Sequence, residues 1–172
     1  VKFNNSAMLN CGFASAVDSI MAVKEFVFEK KECSLEELAD ILKNNWQGHG
    51  KLRLKIKKSP HKYGNGDILA DTYAEAMASY FAHKVNNVPN GRGDVYKAVF
   101  HSARAFVIQG NKTGALPDGR YSGEVLSKNA SAVPGMDRNG VTALVESATK
   151  LCPSDYHESF CGDIMLHPSA VK

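Results

Sequence analysis

Apolar residues recur at three- and four-residue steps over residues 7–28, at Leu9, Phe13, Val17, Ile20, Val23 and Val27. That period predicts a helix with a wide buried stripe and with Lys24, Glu25 and Glu29 on its wet side. Ser34-Leu35-Glu36-Glu37 has the pattern of a capping box, with Ser34 as N-cap and Glu37 reaching back. It opens a second helix over 35–46 that buries Leu35, Leu38, Ile41 and Leu42. Asp67 is placed to cap a third over 68–85, with Leu69, Tyr73, Ala76, Met77 and Phe81 inward. A fourth, over 140–151, is capped by Asn139 and turns Val141, Leu144, Val145 and Ala148 inward.

A period of two marks other stretches. In KLRLKIKK, 51–58, a strand would set Leu52, Leu54 and Ile56 on one face and the cations Lys51, Arg53, Lys55 and Lys57 on the other, with Lys58 ending the run of five. The stretch 96–108 holds Val99, Phe100, Phe106, Val107 and Ile108, and its latter half predicts a strand. A last short strand runs over 160–166, closed by Pro168. Between them, 59–66 and 88–94 are loops. Pro117-Asp118-Gly119-Arg120 is a tight turn, because proline fixes φ, aspartate bonds nearby amides and glycine supplies φ > 0. Arg120 leaves it with a rigid fork of donors able to clamp neighbouring carbonyls or a carboxylate. Helices alternating with strands predict an α/β layout.

Composition adds limits more than leads. At 172 residues, with 44% apolar and 23% charged content, the chain fits one domain with a real core. A net charge of +3 is too small to argue for a polyanionic partner. The basic segment 51–58 keeps one such alternative open, a nucleic-acid-binding or assembly module, although no aromatic stacking platform interleaves its charges. No apolar run has membrane-spanning length and no signal-peptide pattern opens the chain, so a cytoplasmic protein without a membrane partner is expected. Cys11, Cys33, Cys152 and Cys161 lack metal or redox spacing and read as reduced thiols, with a Cys152–Cys161 pair the one disulfide weighed. Val1 in place of Met, followed by Lys2-Phe3-Asn4-Asn5, reads as a piece of a longer protein.

Catalytic patterns are missing. None of the six histidines forms a His-x-x-x-His or a Cys/His cluster. Gly110 to Gly114 lacks phosphate-loop spacing, and no Gly-x-Ser-x-Gly elbow occurs. Motifs alone therefore give no catalytic residue and no metal site.

The stretch ALPDGRYSGEVLSKNASAVPGMDRNGVTALVESATKL resembles the corresponding segment of the glycyl radical enzymes, the pyruvate formate-lyase-like family. A Pro-Asp-Gly-Arg turn, a small-residue loop, a Gly-x-Asp-x-x-Gly step and a Ser-x-x-Lys-Leu helix end recur there in this order. Phe3-Asn4-Asn5, Val17-Asp18-Ser19-Ile20, Lys62-Tyr63-Gly64-Asn65 and Met165-Leu166-His167-Pro168 extend the resemblance collinearly, with Gly66 departing from the family's usual Asp. It implies that residues 1–172 form a single segment lying between the cysteine loop and the glycyl radical loop. The segment would be part of the second half of a ten-stranded α/β barrel with packing helices, and inactive alone. It also implies a short helix, not a strand, at 51–58. The parent would be a lyase, dehydratase, decarboxylase or formate acetyltransferase, an anaerobic homo-oligomer acting on a small organic substrate. Its glycyl radical would be installed by an S-adenosylmethionine and iron–sulfur activase, with no cofactor held by this segment. In the loop 130–134, Ser131 would be a polar substrate contact and Val133 an apolar wall.

Overall fold

Residues 4–165 are described by a computed structural model. Two parallel strands form its sheet. β1 (Ser6–Leu9) pairs with β2 (Tyr96–Val99), with Ser6 opposite Tyr96 and Leu9 opposite Val99. Phe100, next after β2, bridges in parallel to Phe160, so three chain segments run side by side. Parallel neighbours need a long crossover, and four helices supply it. These are α1 (Phe13–Ala22), α2 (Leu35–Lys43), α3 (Gly50–Lys58) and α4 (Ile68–Val85). After β2 come α5 (Ala105–Lys112), a long loop, α6 (Gly140–Thr149) and a 3₁₀ turn at Pro153–Asp155.

The main core lies where α1 meets α4. Phe13, Val17 and Met21 pack there with Ala70, Ala74, Ala78 and Ala82, a four-residue ladder of small side chains along one face of α4. Alanines let the two backbones approach closely, and the aromatic residues fill the remainder. Phe100 is met edge-on by Phe13 at 5.0 Å and by Phe160 at 5.3 Å. A second cluster joins Phe26, Leu38, Ile41, Trp46 and Ile56 beneath α2 and α3.

The capping signals are realised. Ser34 Oγ accepts the Glu37 amide while Glu37 accepts that of Ser34, and Asp67 Oδ1 accepts the Ala70 amide at 2.8 Å. Several boundaries and faces differ from the pattern. The helix expected over 7–28 starts only at Phe13, since Ser6–Leu9 pairs with β2 and Gly12, at φ +79°, turns the chain between them. Its last two turns, Val23–Glu29, widen into a π-helix, and Glu25 is buried because Ser59 and Lys30 bond its carboxylate. The second helix stops at Lys43, and left-handed Asn45 and Trp46 swing the indole into the core while Leu35 stays exposed.

The largest correction concerns 51–58, which is helical with Ile56 its one fully buried residue. The alternation gave the wrong period; the helix implied by the resemblance is the one that forms. Over 96–108 the order is reversed: the first half is β2 and the apolar AFVIQG opens α5. On α4, Leu69, Tyr73, Met77 and Phe81 flank the core half-buried and Ala76 is exposed. On α6, Leu144 and Ser147 point inward while Val141 and Val145 face out. Asn139 makes no side-chain cap; its amide donates to Asn65 Oδ1. At 160–166 the ladder is one bridge at Phe160, 161–165 are not a strand, and Leu166 and Pro168 lie outside the described residues.

Candidate functional site

The Pro117-Asp118-Gly119-Arg120 turn is closed by the Gly119 amide on the Leu116 carbonyl, and Asp118 Oδ1 accepts the Arg120 amide at 2.9 Å. Gly119 sits at φ +95°, and a Cβ there would meet the Lys57 side chain at 2.7 Å. The buried Arg120 guanidinium donates to the carbonyls of Gly110 at 2.6 Å, Gly114 at 2.7 Å, Thr113 and Val125 at 3.3 Å, and Glu124. Backbone carbonyls out of water need donors, and one fork serves five of them. Arg120 is therefore the hub of the loops between α5 and α6.

Helix α3 grips the same turn. Arg53 Nε donates to the Gly119 carbonyl at 2.7 Å and its guanidinium lies 3.6 Å from the Tyr121 ring centre. Lys55 pairs with Glu32, and the Lys57 stem packs on Gly119. Cations that would have formed a basic stripe on a strand are thus dispersed around a helix, three of them in internal contacts.

Lys62-Tyr63-Gly64-Asn65 anchors the loop that follows the turn. The Tyr63 amide donates to Asp18 Oδ1 at 2.9 Å, and its hydroxyl to the Ala130 carbonyl at 2.8 Å. Gly64, at φ +89°, abuts Ala132 so closely that a Cβ would stand 2.6 Å from its methyl. Asn65 Nδ2 donates to the Met136 carbonyl, while its Oδ1 accepts the Arg138 and Asn139 amides. Two sequence motifs 65 or more positions apart are thereby locked together.

Between α1, the turn and this loop lies a recess of about 390 Å³, lined by Asp18, Lys57, Asp118, Arg120, Val133 and Met136 among others. Asp18 and Asp118 are both buried, and each uses Oδ1 for a backbone amide. The Oδ2 of each has no hydrogen-bond partner. Buried Lys62 places its ammonium 3.8 Å from Asp18 Oδ2, an ion pair too long for a direct bond. Burial pushes the Asp18 carboxyl up to about 7, against the pull of Lys62 and the Tyr63 amide and with a push from the Asp118 charge. Burial also raises Asp118, opposed by the Arg120 amide and by Lys62, Arg120 and Lys57. Two neighbouring acids in a low-dielectric site can hold a proton near neutrality.

Among the described residues, Val133 and Ser131 line different recesses of this segment. Val133 is half-buried and lines the acidic recess. Ser131 is buried, its Oγ accepting the Asp163 amide at 2.6 Å and facing its carbonyl at 3.2 Å. It lines an apolar groove of about 300 Å³ with Leu144, Val145 and Phe160. The pattern missed Asp18, Lys62 and Asp118. A signal for Asp18 was present, since it falls four residues after Ala14 and three before Met21, on the buried stripe of α1. Among the described residues no group of three His, Cys, Asp or Glu side chains is arranged to hold a metal, and all four cysteines are free.

The family model described as pyruvate formate lyase-like matches residues 1–110. The chain belongs to this family. It is 34% identical over 155 residues to the (2S)-3-sulfopropanediol dehydratase of Klebsiella oxytoca, a match covering 87% of this chain and 19% of that protein. Trans-4-hydroxy-L-proline dehydratase of Clostridioides difficile is 27% identical over 87% of the chain and 19% of its own length. Among solved structures, the glycerol-bound B12-independent glycerol dehydratase of Clostridium butyricum superposes on the whole chain with a TM-score of 0.90 and 31% identity, using 22% of its own length. A glycyl radical enzyme from Archaeoglobus fulgidus superposes on 90% with a TM-score of 0.83 and 34% identity, using 20% of its length. The chain thus spans about a fifth of the length of these pyruvate formate lyase-like relatives.

Proposed function

We propose that these residues are a scaffold segment of a glycyl radical enzyme of the dehydratase or lyase kind, without activity when alone. The observation that carries the reading is the superposition on glycerol dehydratase over the entire chain at a TM-score of 0.90. The names of the relatives favour elimination chemistry on small hydroxylated or sulfonated compounds over formate acetyl transfer. In this reading the three parallel segments at β1, β2 and Phe160 are an arc of a ten-stranded barrel, with α1 and α4 packed outside. Support comes from Met8 and Leu9 of β1, exposed on a strand whose one ladder among the described residues is to β2, and from Phe28 and Ile68, exposed at 64% and 79%. Ser131 and Val133 border the chamber, Ser131 as a polar contact and Val133 as a wall. The parent is a cytoplasmic homo-oligomer that receives its radical from an S-adenosylmethionine-dependent activase. No helix among the described residues is long and apolar enough to cross a membrane.

The test has two arms. The parent, expressed anaerobically with its activase, gives the doublet spectrum of a glycyl radical and eliminates water or sulfite from a small hydroxylated substrate. The 172-residue chain alone gives no turnover. Turnover by the pure chain, or an activated parent without a glycyl signal, overturns the reading.

A further inference from the structure

We propose that an apolar groove along α1 and the π-helix continuing it is where two copies of this chain meet, each seating its Phe28 in the groove of the other. The groove carries this by itself. Mass in solution is read without turnover, so the proposal stands or falls apart from the radical reading.

The groove, of about 650 Å³, lies between the end of α1, the π-helical turns and α4, with Ile20, Val23, Phe28, Tyr73 and Pro117 as its walls. Ile20 and Phe28 are exposed, and Lys24 and Glu29 form an ion pair on its rim. The π-helix is the reason these residues share a face. In an α-helix, residues five apart stand about 140° from each other around the axis, which would turn Glu29 away from Lys24. A π-helix bonds residues five apart and stacks them one turn above the other. Val23 then lies under Phe28, Lys24 under Glu29 and Glu25 under Lys30, the last two being ion pairs. Such turns are rare and gather at functional sites. This one sets a large apolar ring and a matched pair of charges on one open surface.

The charges select the occupant. A partner bearing one sign of charge meets its like at Lys24 or at Glu29, and a wholly apolar partner takes both out of water without a match. A second copy related by a two-fold axis does neither, because the surface then meets itself running the other way. Lys24 faces Glu29 of the other copy, and Glu29 faces its Lys24. The ring and the hollow are complementary by the same operation: Phe28 of each copy leaves water and fills the space beside Val23 and Tyr73 of the other. Apolar burial supplies the attraction, and the exchanged charges fix the register.

The experiment measures the mass of the chain by sedimentation equilibrium and turns on mixing two variants. The unaltered chain is expected to be a dimer. Lys24→Glu leaves two acids on the rim of each copy, and Glu29→Lys leaves two cations. Each variant alone is expected to stay monomeric where the unaltered chain dimerises. Mixed in equal amounts, the two are expected to form a heterodimer, in which both contacts between copies are again opposite in sign. Pairing within a single chain cannot give that result. Phe28→Ser, at an exposed position, is expected to weaken dimerisation at least tenfold. A monomeric unaltered chain overturns the proposal and leaves the groove to another stretch of the parent. A mixture that stays monomeric also overturns it. So does a charge variant or Phe28→Ser that dimerises alone as before, which places the contact elsewhere, at the edge of β1 away from β2.

Discussion

The indole N–H of Trp46 donates to the backbone carbonyl of Arg120 at 3.1 Å, joining residues 74 positions apart. The bond holds the Asp-Gly-Arg turn against the small core beneath α2 and α3, where Trp46 is almost fully buried. Trp46→Phe keeps an aromatic ring and leaves that carbonyl without its donor. We expect a loss of about 1–3 kcal/mol in urea unfolding, with an unchanged denaturant slope.

Arg120→Lys removes a planar fork and supplies one mobile ammonium for five carbonyls. The expected loss is about 3 kcal/mol. Amide exchange should accelerate first at Gly123 and Leu126, whose N–H groups donate to the carbonyls of Thr113 and of Phe106 in α5. A variant as stable as the parent chain would show that the carbonyls find water instead.

Gly64→Ala meets two obstacles, a φ of +89° and an Ala132 methyl 2.6 Å from the new Cβ. Together they are expected to cost about 3 kcal/mol. Ala132→Gly in the same chain should restore the steric part and leave the backbone part, so the double variant falls between the two. Additivity in this cycle would deny the contact.

Asp18 gives a pH signature whose sign is fixed by its upward shift. Folded, it titrates at about 7, and unfolded near the ordinary value of roughly 3.9. Between those limits the folded chain holds the extra proton. The contribution is fully present below about 4 and is lost as pH rises toward 7. Raised Asp118 acts in the same direction. Asp18→Asn should flatten the stability profile between pH 4 and 7 relative to the unaltered chain, as read by thermal melts across that range. Profiles that stay parallel would place the proton elsewhere.

What could be read from the residues follows from where each constraint lies. Ser34 with Glu37, and Asp67 with Ala70, are local bonds spanning three positions, so the starts of α2 and α4 were legible. The grip of Arg120 on its neighbours was legible for the same reason, the farthest carbonyl being ten positions away. The strand at Ser6–Leu9 was not, because its partner is β2 and nothing nearby announces it. Glu25 looked solvated by its helical phase, yet the hydroxyl that buries it belongs to Ser59, 34 positions on. KLRLKIKK misled through its two-residue rhythm, which is overridden once Ile56 enters the core and Arg53 reaches the Gly119 carbonyl. The acidic recess escaped because hydrophobic pattern is blind to buried charge. Asp18, Lys62 and Asp118 converge only after α1, the loop before α4 and the turn after α5 are assembled.

The pairing of β1 with β2 also sets an order of assembly. The Asn4 amide reaches the Asp94 carboxylate at 2.9 Å across 90 positions, and the ladder beside it spans a similar length. Closing so long a loop is slow and entropically unfavourable until its interior is ordered. The capped helix starts lie inside that loop and are closed by bonds three positions long, so they are expected to gain protection early in pulsed hydrogen exchange. The sheet amides of β1 and β2 are expected to be shielded last in the same experiment.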